Sequence, residues 1–335
     1  MNASSVGDLA NFYMLRRRTT ETKQNIDQLT QELSSGMVAD TKAVLGGNVG
    51  YLTEIERDMR SLSSFDISTT EAGQFTSVMQ QTLGSFQDTS AEFSSRLYSS
   101  LTGQSSANLD DLAEQARDEL NVMISLLNGE AAGRSLFAGA ATNTTPLISS
   151  DDLLTELRTV AAGATTAADL DAAVTAWFDD PAGFAAVAYQ GSGNSLAPMN
   201  LSETERVRVE IKADDQVFRD VLRTTALAAL ADDPTFALST ADKSEIITAT
   251  AGSLLASQDD IIRVRGLLGA TEERIEEIKT RNAAHRSSLE VAKSALLGAD
   301  PFETATRLEE AQFQLESLYS VTVRMSNLKL VNFLR

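Results

Sequence analysis

Residues 254–297 read LLASQDDIIRVRGLLGATEERIEEIKTRNAAHRSSLEVAKSALL, and this stretch decides the fold. Ile261, Val264, Leu268, Thr271, Ile275, Ile278, Asn282, His285, Leu289, Ala292 and Leu296 follow one another in steps of three and four. Most are apolar, so they trace a narrow stripe on one helix face, the pattern of a coiled-coil seam. The spacing predicts one continuous helix about 65 Å long at ~1.5 Å per residue. Glu272, Glu273, Glu276, Glu277 and Lys279 fall off the stripe, where a solvated face belongs.

Leu297-Gly298-Ala299-Asp300-Pro301 ends that helix, because Gly suits a C-terminal cap and Pro cannot continue the hydrogen-bond ladder. A new helix is expected near Pro301 or Phe302, with Asp300 as N-cap and Glu303 three residues on. Its stripe is Ala305, Leu308, Ala311, Leu315, Leu318, Thr322, Met325, Leu328 and Val331, and the chain finishes in Phe333-Leu334-Arg335. The N-terminus carries a matching stripe: Phe12, Leu15, Thr19, Thr22, Ile26, Leu29 and Leu33, interrupted by Ser34-Ser35-Gly36. Gly46, Gly47 and Gly50 form a looser connector, and helical patterning then runs from about Tyr51 to Leu127 with a break near Thr102-Gly103. Each stripe has to be buried against something. The two terminal helices are therefore expected to pair as an antiparallel hairpin, with their outer faces left for neighbours.

Four of the five prolines and the single Trp lie between about 140 and 250. This middle segment is read as a small α+β domain, with a strand over Arg206–Ile211 and helices over 153–160, 167–178 and 214–230. The expected division is 1–45, N-terminal coiled-coil helix; 46–140, first half of a helical rod; 141–250, inserted middle domain; 251–298, second half of the rod; and 299–335, C-terminal coiled-coil helix. The fold class is mainly α. Low aromatic content predicts a core of Leu, Ile, Val and Ala.

Composition excludes several chemistries. With no Cys there is no disulfide, thiolate zinc site or Cys nucleophile. His285 is the only histidine, and its place on the seam makes it a core or flanking residue. The net charge of −19 repels phosphate backbones and anionic lipid, so neither nucleic acid nor membrane is an expected partner. No apolar run approaches the ~18 residues of a membrane span. In MNASSVGDLANFYMLRRRTT the basic cluster follows the apolar residues, the reverse of a cleaved secretory signal, so none is expected. The six Asp-Asp pairs lack EF-hand spacing, and several sit where helices should start, so capping is the better account of them. Gly191-Ser192-Gly193 lacks the third glycine of a dinucleotide loop, and neither a Walker A motif nor a GxSxG elbow is present. No catalytic residue, metal ligand or cofactor is expected, and the chain is read as non-enzymatic.

Four passages resemble the flagellin family. They are Gln31–Gly36 (QELSSG), Gly133–Gly139 (GRSLFAG) with Thr142–Pro146 after it, Arg206–Phe218, and the C-terminal 305–335 ending LVNFLR. The GRSLFAG passage is most similar to the hook-associated junction branch of that family. The connector 37–48 departs from the family pattern, which has Arg-Ile and an Asp-Asp pair there. The resemblance implies a structural protein of the bacterial flagellum, joining hook to filament and polymerising through its terminal helices; filament flagellin or a minor flagellin is the competing reading. It implies export through the flagellar type III pathway to the cell exterior. It also implies three kinds of partner: further copies in a ring, a neighbouring hook-associated protein and flagellin, and an export chaperone. The assembly interface expected on this reading is Leu15, Ile26, Leu29 and Leu33 on the first helix, with Leu308, Leu315, Leu318, Met325, Leu328, Val331 and Leu334 on the last.

Overall fold

A computed structural model describes residues 3–46, 49–102 and 109–333. The fold is mainly α, with long helices at both chain ends and a few short strands in the middle. In chain order the helices are α1 (Ala3–Ser35), α2 (Thr41–Val44), α3 (Gly50–Thr102), α4 (Leu109–Leu127), α5 (Ser150–Val160), α6 (Ala167–Asp179), α7 (Gln216–Leu230), α8 (Thr240–Ala256), α9 (Gln258–Leu297) and α10 (Pro301–Phe333). The strands are β1 (Glu130–Ala131), β2 (Arg134–Ser135), β3 (Met199–Asn200) and β4 (Arg206–Val207). The chain divides into two compact units, Met1–Leu62 with Ala283–Arg335, and Ser63–Asn282; α3 and α9 each contribute to both.

The helix over 254–297 is two helices. Ser257 separates α8 from α9, and its N–H still donates to Ser253 O at 3.0 Å. The seam of α9 is otherwise as the spacing predicts: Ile261, Leu268, Ile275, Ile278 and Asn282 are buried. His285 is exposed, so it is neither core nor seam in this chain. Gly298 N–H donates to Ser294 O at 2.7 Å, and a Cβ there would meet that oxygen at 2.6 Å. Space, and not a positive φ, demands the glycine. Asp300 Oδ1 accepts from the Phe302 and Glu303 N–H groups at 2.8 and 3.2 Å, capping α10 as read from the sequence.

In the unit 63–282, α4 packs on α7, α8 and α5, while α7 packs on α6 and α8. One hydrophobic cluster runs from Phe75 to Leu268, so residues of 141–250 share their core with α3, α4 and α9. That core is more aromatic than composition suggests. Phe86, Phe93, Phe137, Phe178, Phe184 and Phe218 are all fully buried. Phe218 meets Phe86 and Phe137 edge-on, at centroid distances of 5.4 and 6.0 Å, and so ties α3, α7 and the loop after β2 together. The few aromatic residues are concentrated where they bury most area.

Most of the aspartate pairs do not supply the caps. Ser149, Thr166 and Ser239 do, accepting from Asp152, Asp169 and Asp242 N–H, and Ser239 with Asp242 completes a capping box. Asp110–Asp111, Asp151–Asp152 and Asp259–Asp260 sit within the first turn of a helix, where a negative charge complements the helix dipole, whereas Asp179 ends α6 and Asp180 is its C-cap. Asp215 alone of the paired aspartates occupies an N-cap, and its carboxylate turns back to accept from Lys212 N–H at 2.9 Å. Asp233 instead accepts from Arg158 Nε at 2.6 Å. The strand over 206–211 is shorter than its alternation implies. Ladder pairing is confined to Arg206–Val207, although burial alternates on through Glu210. Beyond Val207 there is no partner strand, and alternation alone does not supply one.

The GRSLFAG passage folds as a tight hairpin followed by a buried arch. Ala132 and Gly133, at φ +51° and +74°, are the two central residues of the β1–β2 turn, both in the left-handed region that a type I′ turn requires. Leu136, Phe137 and Ala138 are then buried. Phe137 O accepts from Ala213 N–H at 3.0 Å and Ala138 O from Ser192 N–H at 2.9 Å. Gly139 has φ +61°, and a Cβ there would lie 2.4 Å from Asn194 O. The arch therefore has no room for any other residue at that position.

Candidate assembly surface

In the unit formed by 1–62 and 283–335, α1 packs along α10 as an antiparallel pair. Its closed end is held by backbone. Gly36, at φ +69°, ends α1, and its carbonyl accepts from Ala299 N–H at 3.0 Å. Val38 N–H donates to Leu297 O at 2.9 Å, and Met37 bridges Gly298. Glu32 is buried beside this closure, where its Oε1 accepts from Ala39 N–H at 2.9 Å. Further along, Lys23 Nζ lies 5.7 Å from the Tyr319 ring centroid, and a hydrogen bond with Tyr319 holds its ammonium above the usual lysine range. These two fixed points set the register. Ile26 and Leu29 lie at the level of 308–315.

The seam of this pair holds many of the residues expected there. Leu29 is buried, and Leu15, Ile26, Leu308, Leu315, Leu318 and Met325 are half-buried. Thr22, Thr304 and Ala311 complete it, all buried. Leu33 is 41% exposed, because Glu32 takes the inward position at the closure. The side chains of Leu328 and Val331, and all of Leu334, lie outside the described residues.

A two-helix pair has only one seam, and half-burial is the most that its leucines reach over much of it. The outward side keeps its own apolar residues. Phe302 is 84% exposed and Phe313 73%, with Phe12, Tyr13, Val321 and Val323 also exposed. Phe12 therefore faces outward, off the inner stripe that the spacing predicts, and the others belong to no predicted stripe. Their signal is a second set of apolar positions off the seam, such as Tyr13-Met14 and Val321/Val323, that one partner helix cannot cover.

The unit 63–282 has a groove of about 1030 Å³ between α3, the β1–β2 hairpin and α9, whose lining includes Thr69, Phe75, Arg134, Ile275 and Lys279. The Arg134 guanidinium sits 5.3 Å from the Phe75 ring centroid, a cation–π contact. Among the described residues no three His, Asp or Glu side chains converge to hold a metal ion, and no described helix is long and apolar enough to cross a membrane. Burial raises the Glu272 carboxyl above its usual value. Tyr189 is pushed up to about 12, first by burial and then by Asp214 and Asp215, while its hydroxyl donates to Ser192 O at 3.0 Å. Its part is to pin the loop that receives Ala138.

Residues 256–334 match the family described as bacterial flagellin C-terminal helical region. These residues span α9 and α10, the helices whose stripes decide the fold. Among solved structures, the chain is similar to a protein from Vibrio parahaemolyticus described as a flagellar hook-associated protein. The identity is 13%, over 73% of this chain and 95% of that one, with a TM-score of 0.52. It is also similar to FlgL of Bacillus cereus at 14% identity, over 72% of this chain and 99% of that one, with a TM-score of 0.49. At such identities the Vibrio likeness speaks for the fold. None of the curated proteins compared with the chain matches it.

Proposed function

We propose that this flagellin-type chain is a structural subunit of the bacterial flagellum that joins hook to filament and polymerises through α1 and α10. The carrying observation is the terminal hairpin: a flagellin-family C-terminal helix paired with the N-terminal one, sharing a single seam and leaving aromatic residues such as Phe302 and Phe313 uncovered. That surface is what a subunit destined for tight packing with neighbours needs, since exposed apolar area of this kind is otherwise a liability. The interface residues on this reading are Leu15, Ile26, Leu29, Leu33, Leu308, Leu315, Leu318, Met325, Leu328, Val331 and Leu334, and the exposure of Phe302 and Phe313 supports joining them to the set. Partners on this reading are further copies, a neighbouring hook-associated protein, flagellin and an export chaperone; the site of action is the cell exterior, after flagellar type III export. The role is mechanical, without an enzymatic step.

In the host cell, replacing the gene by its Leu318→Asp form puts a carboxylate where assembly must desolvate it, a cost of several kcal/mol. The expected phenotype is completed hooks, exported subunit and unpolymerised flagellin in the medium, while Glu276→Ala on the solvated face changes little. Swimming with full-length filaments would refute the assembly role. Immunogold labelling separates the junction reading from the flagellin one: a single band at the hook end supports the first, and label along the whole filament the second.

A further inference from the structure

Charge on the terminal hairpin is sorted by position. The half far from the Gly36–Gly298 closure, residues 10–24 and 317–325, has five Lys or Arg and only one Asp or Glu. The half beside the closure, 25–40 and 298–316, has eight Asp or Glu and only one Lys or Arg. The side chains that matter are on the surface: Arg16, Arg17, Arg18 and Arg324 at one end, and Glu309, Glu310 and Glu316 toward the other are all exposed.

Pairing within the molecule does not account for this. The α1–α10 register brings Arg16–Arg18 to the level of Arg324, like charge beside like charge. Among the described residues, local helix pairs such as Arg17 with Glu21 at 2.8 Å and Arg307 with Glu303 at 2.6 Å relieve it in part, and solvent screens exposed pairs of this kind. The arrangement is mildly unfavourable in one copy and complementary between two. Exposed apolar side chains accompany both ends, with Phe12 and Tyr13 next to the arginines, and Phe302 and Phe313 among the glutamates.

Building on the assembly role above, we propose that a second copy of this chain docks head to tail, the basic far half of one hairpin lying against the acidic half of the next. Such an interface uses two different patches and repeats without closing on a pair, as rings and filaments require. Charge then fixes polarity: copies aligned in register and pointing the same way set like against like, which electrostatic complementarity penalises.

The test uses the full chain and two variants, R16E/R17E/R18E and E309K/E310K/E316K, followed by sedimentation velocity at low and high salt. In each variant alone the 16–18 patch and the 309/310/316 patch carry the same sign, and the concentration at which it assembles is expected to rise about tenfold or more over the unaltered chain at low salt. An equimolar mixture is expected to return to within roughly threefold of the unaltered chain, as species larger than dimers, with the advantage fading as salt shortens the screening length to ~3 Å at 1 M. Recovery in the mixture also shows that both variants are folded. Variants that assemble alone as readily as the unaltered chain, a mixture no better than its components, or a mixture that stops at dimers would each overturn the head-to-tail assignment while leaving the assembly role in place. An unaltered chain that stays monomeric at every concentration would remove both.

Discussion

The two units solve the problem of stability in opposite ways. Residues 63–282 bury six phenylalanines completely around one continuous core, and they carry 33 Asp or Glu against 15 Lys or Arg, nearly all of the chain's net charge. The unit formed by 1–62 and 283–335 is almost neutral, with 14 against 13, and its α1–α10 pair leaves aromatic side chains exposed. A repelling surface suits a body that is complete by itself; a near-neutral, apolar one suits a body whose packing is finished by neighbours. On the proposed assembly, one chain thus combines a self-sufficient domain with an element whose burial other subunits would supply.

The largest effect should come from the aromatic core. Phe218→Ala removes the ring that contacts Phe86 and Phe137, and it should cost ~3–5 kcal/mol in urea unfolding followed by a signal from Trp177. Leu318→Asp should leave that same transition in place while preventing assembly. If both substitutions shift the Trp177 transition equally, the two units are not energetically distinct.

Gly139→Ala comes next. It forces a Cβ to within 2.4 Å of Asn194 O at φ +61°, and a loss of about 2 kcal/mol or more is expected in the same measurement. An unchanged midpoint would show that the arch after GRSLF yields easily.

Acid should act on the large unit through Asp233. Burial opposes its charge, but hydrogen bonds from Arg158 and Thr235 more than offset that and hold its carboxyl below the usual carboxylate value. A folded pKa lowered from ~3.9 contributes stability that is complete above the unfolded value and is lost as pH falls through the folded one. Melting temperature measured from pH 6 down to 3 should therefore fall less steeply for Asp233→Asn than for the unaltered chain, from a lower starting point. Parallel acid limbs would mean that this ion pair is not the acid-sensitive contact. The smallest effect is expected at Ala132, a left-handed alanine in a type I′ turn. Ala132→Asn should stabilise by about 0.5 kcal/mol, since Asn tolerates that conformation and Asn-Gly favours the turn.

Periodicity made the ends of the chain legible. The stripes from Leu15 to Leu29 and from Leu308 to Met325 lie on the inner side of the α1–α10 pair, and Gly36, Asp300 and Pro301 mark its closure. The same periodicity could not see that Ser257 divides α8 from α9, because both helices continue the pattern across it. Nor could it tell which of two adjacent residues faces inward at a closure, where Glu32 displaces Leu33 by accepting from a backbone N–H. The aromatic core escaped notice because composition averages over the whole chain, whereas burial selects Phe86, Phe137 and Phe218 from elements far apart in sequence. The outward phenylalanines and the sorting of charge along the hairpin became visible only once the register of α1 against α10 was known.

Hydrogen exchange of the purified monomer and of the assembled protein, read peptide by peptide, tests the central claim most directly. A two-helix pair without neighbours opens readily, so the amides of α1 and α10 should exchange within seconds to minutes in the monomer, and those of α4 and α7 over hours or longer. On assembly, α1 and α10 should become as protected as the core, with α4 and α7 unchanged. Terminal helices already as protected as α4 and α7 in the monomer, or no slower after assembly, would contradict the division between a self-sufficient body and an element completed by its partners.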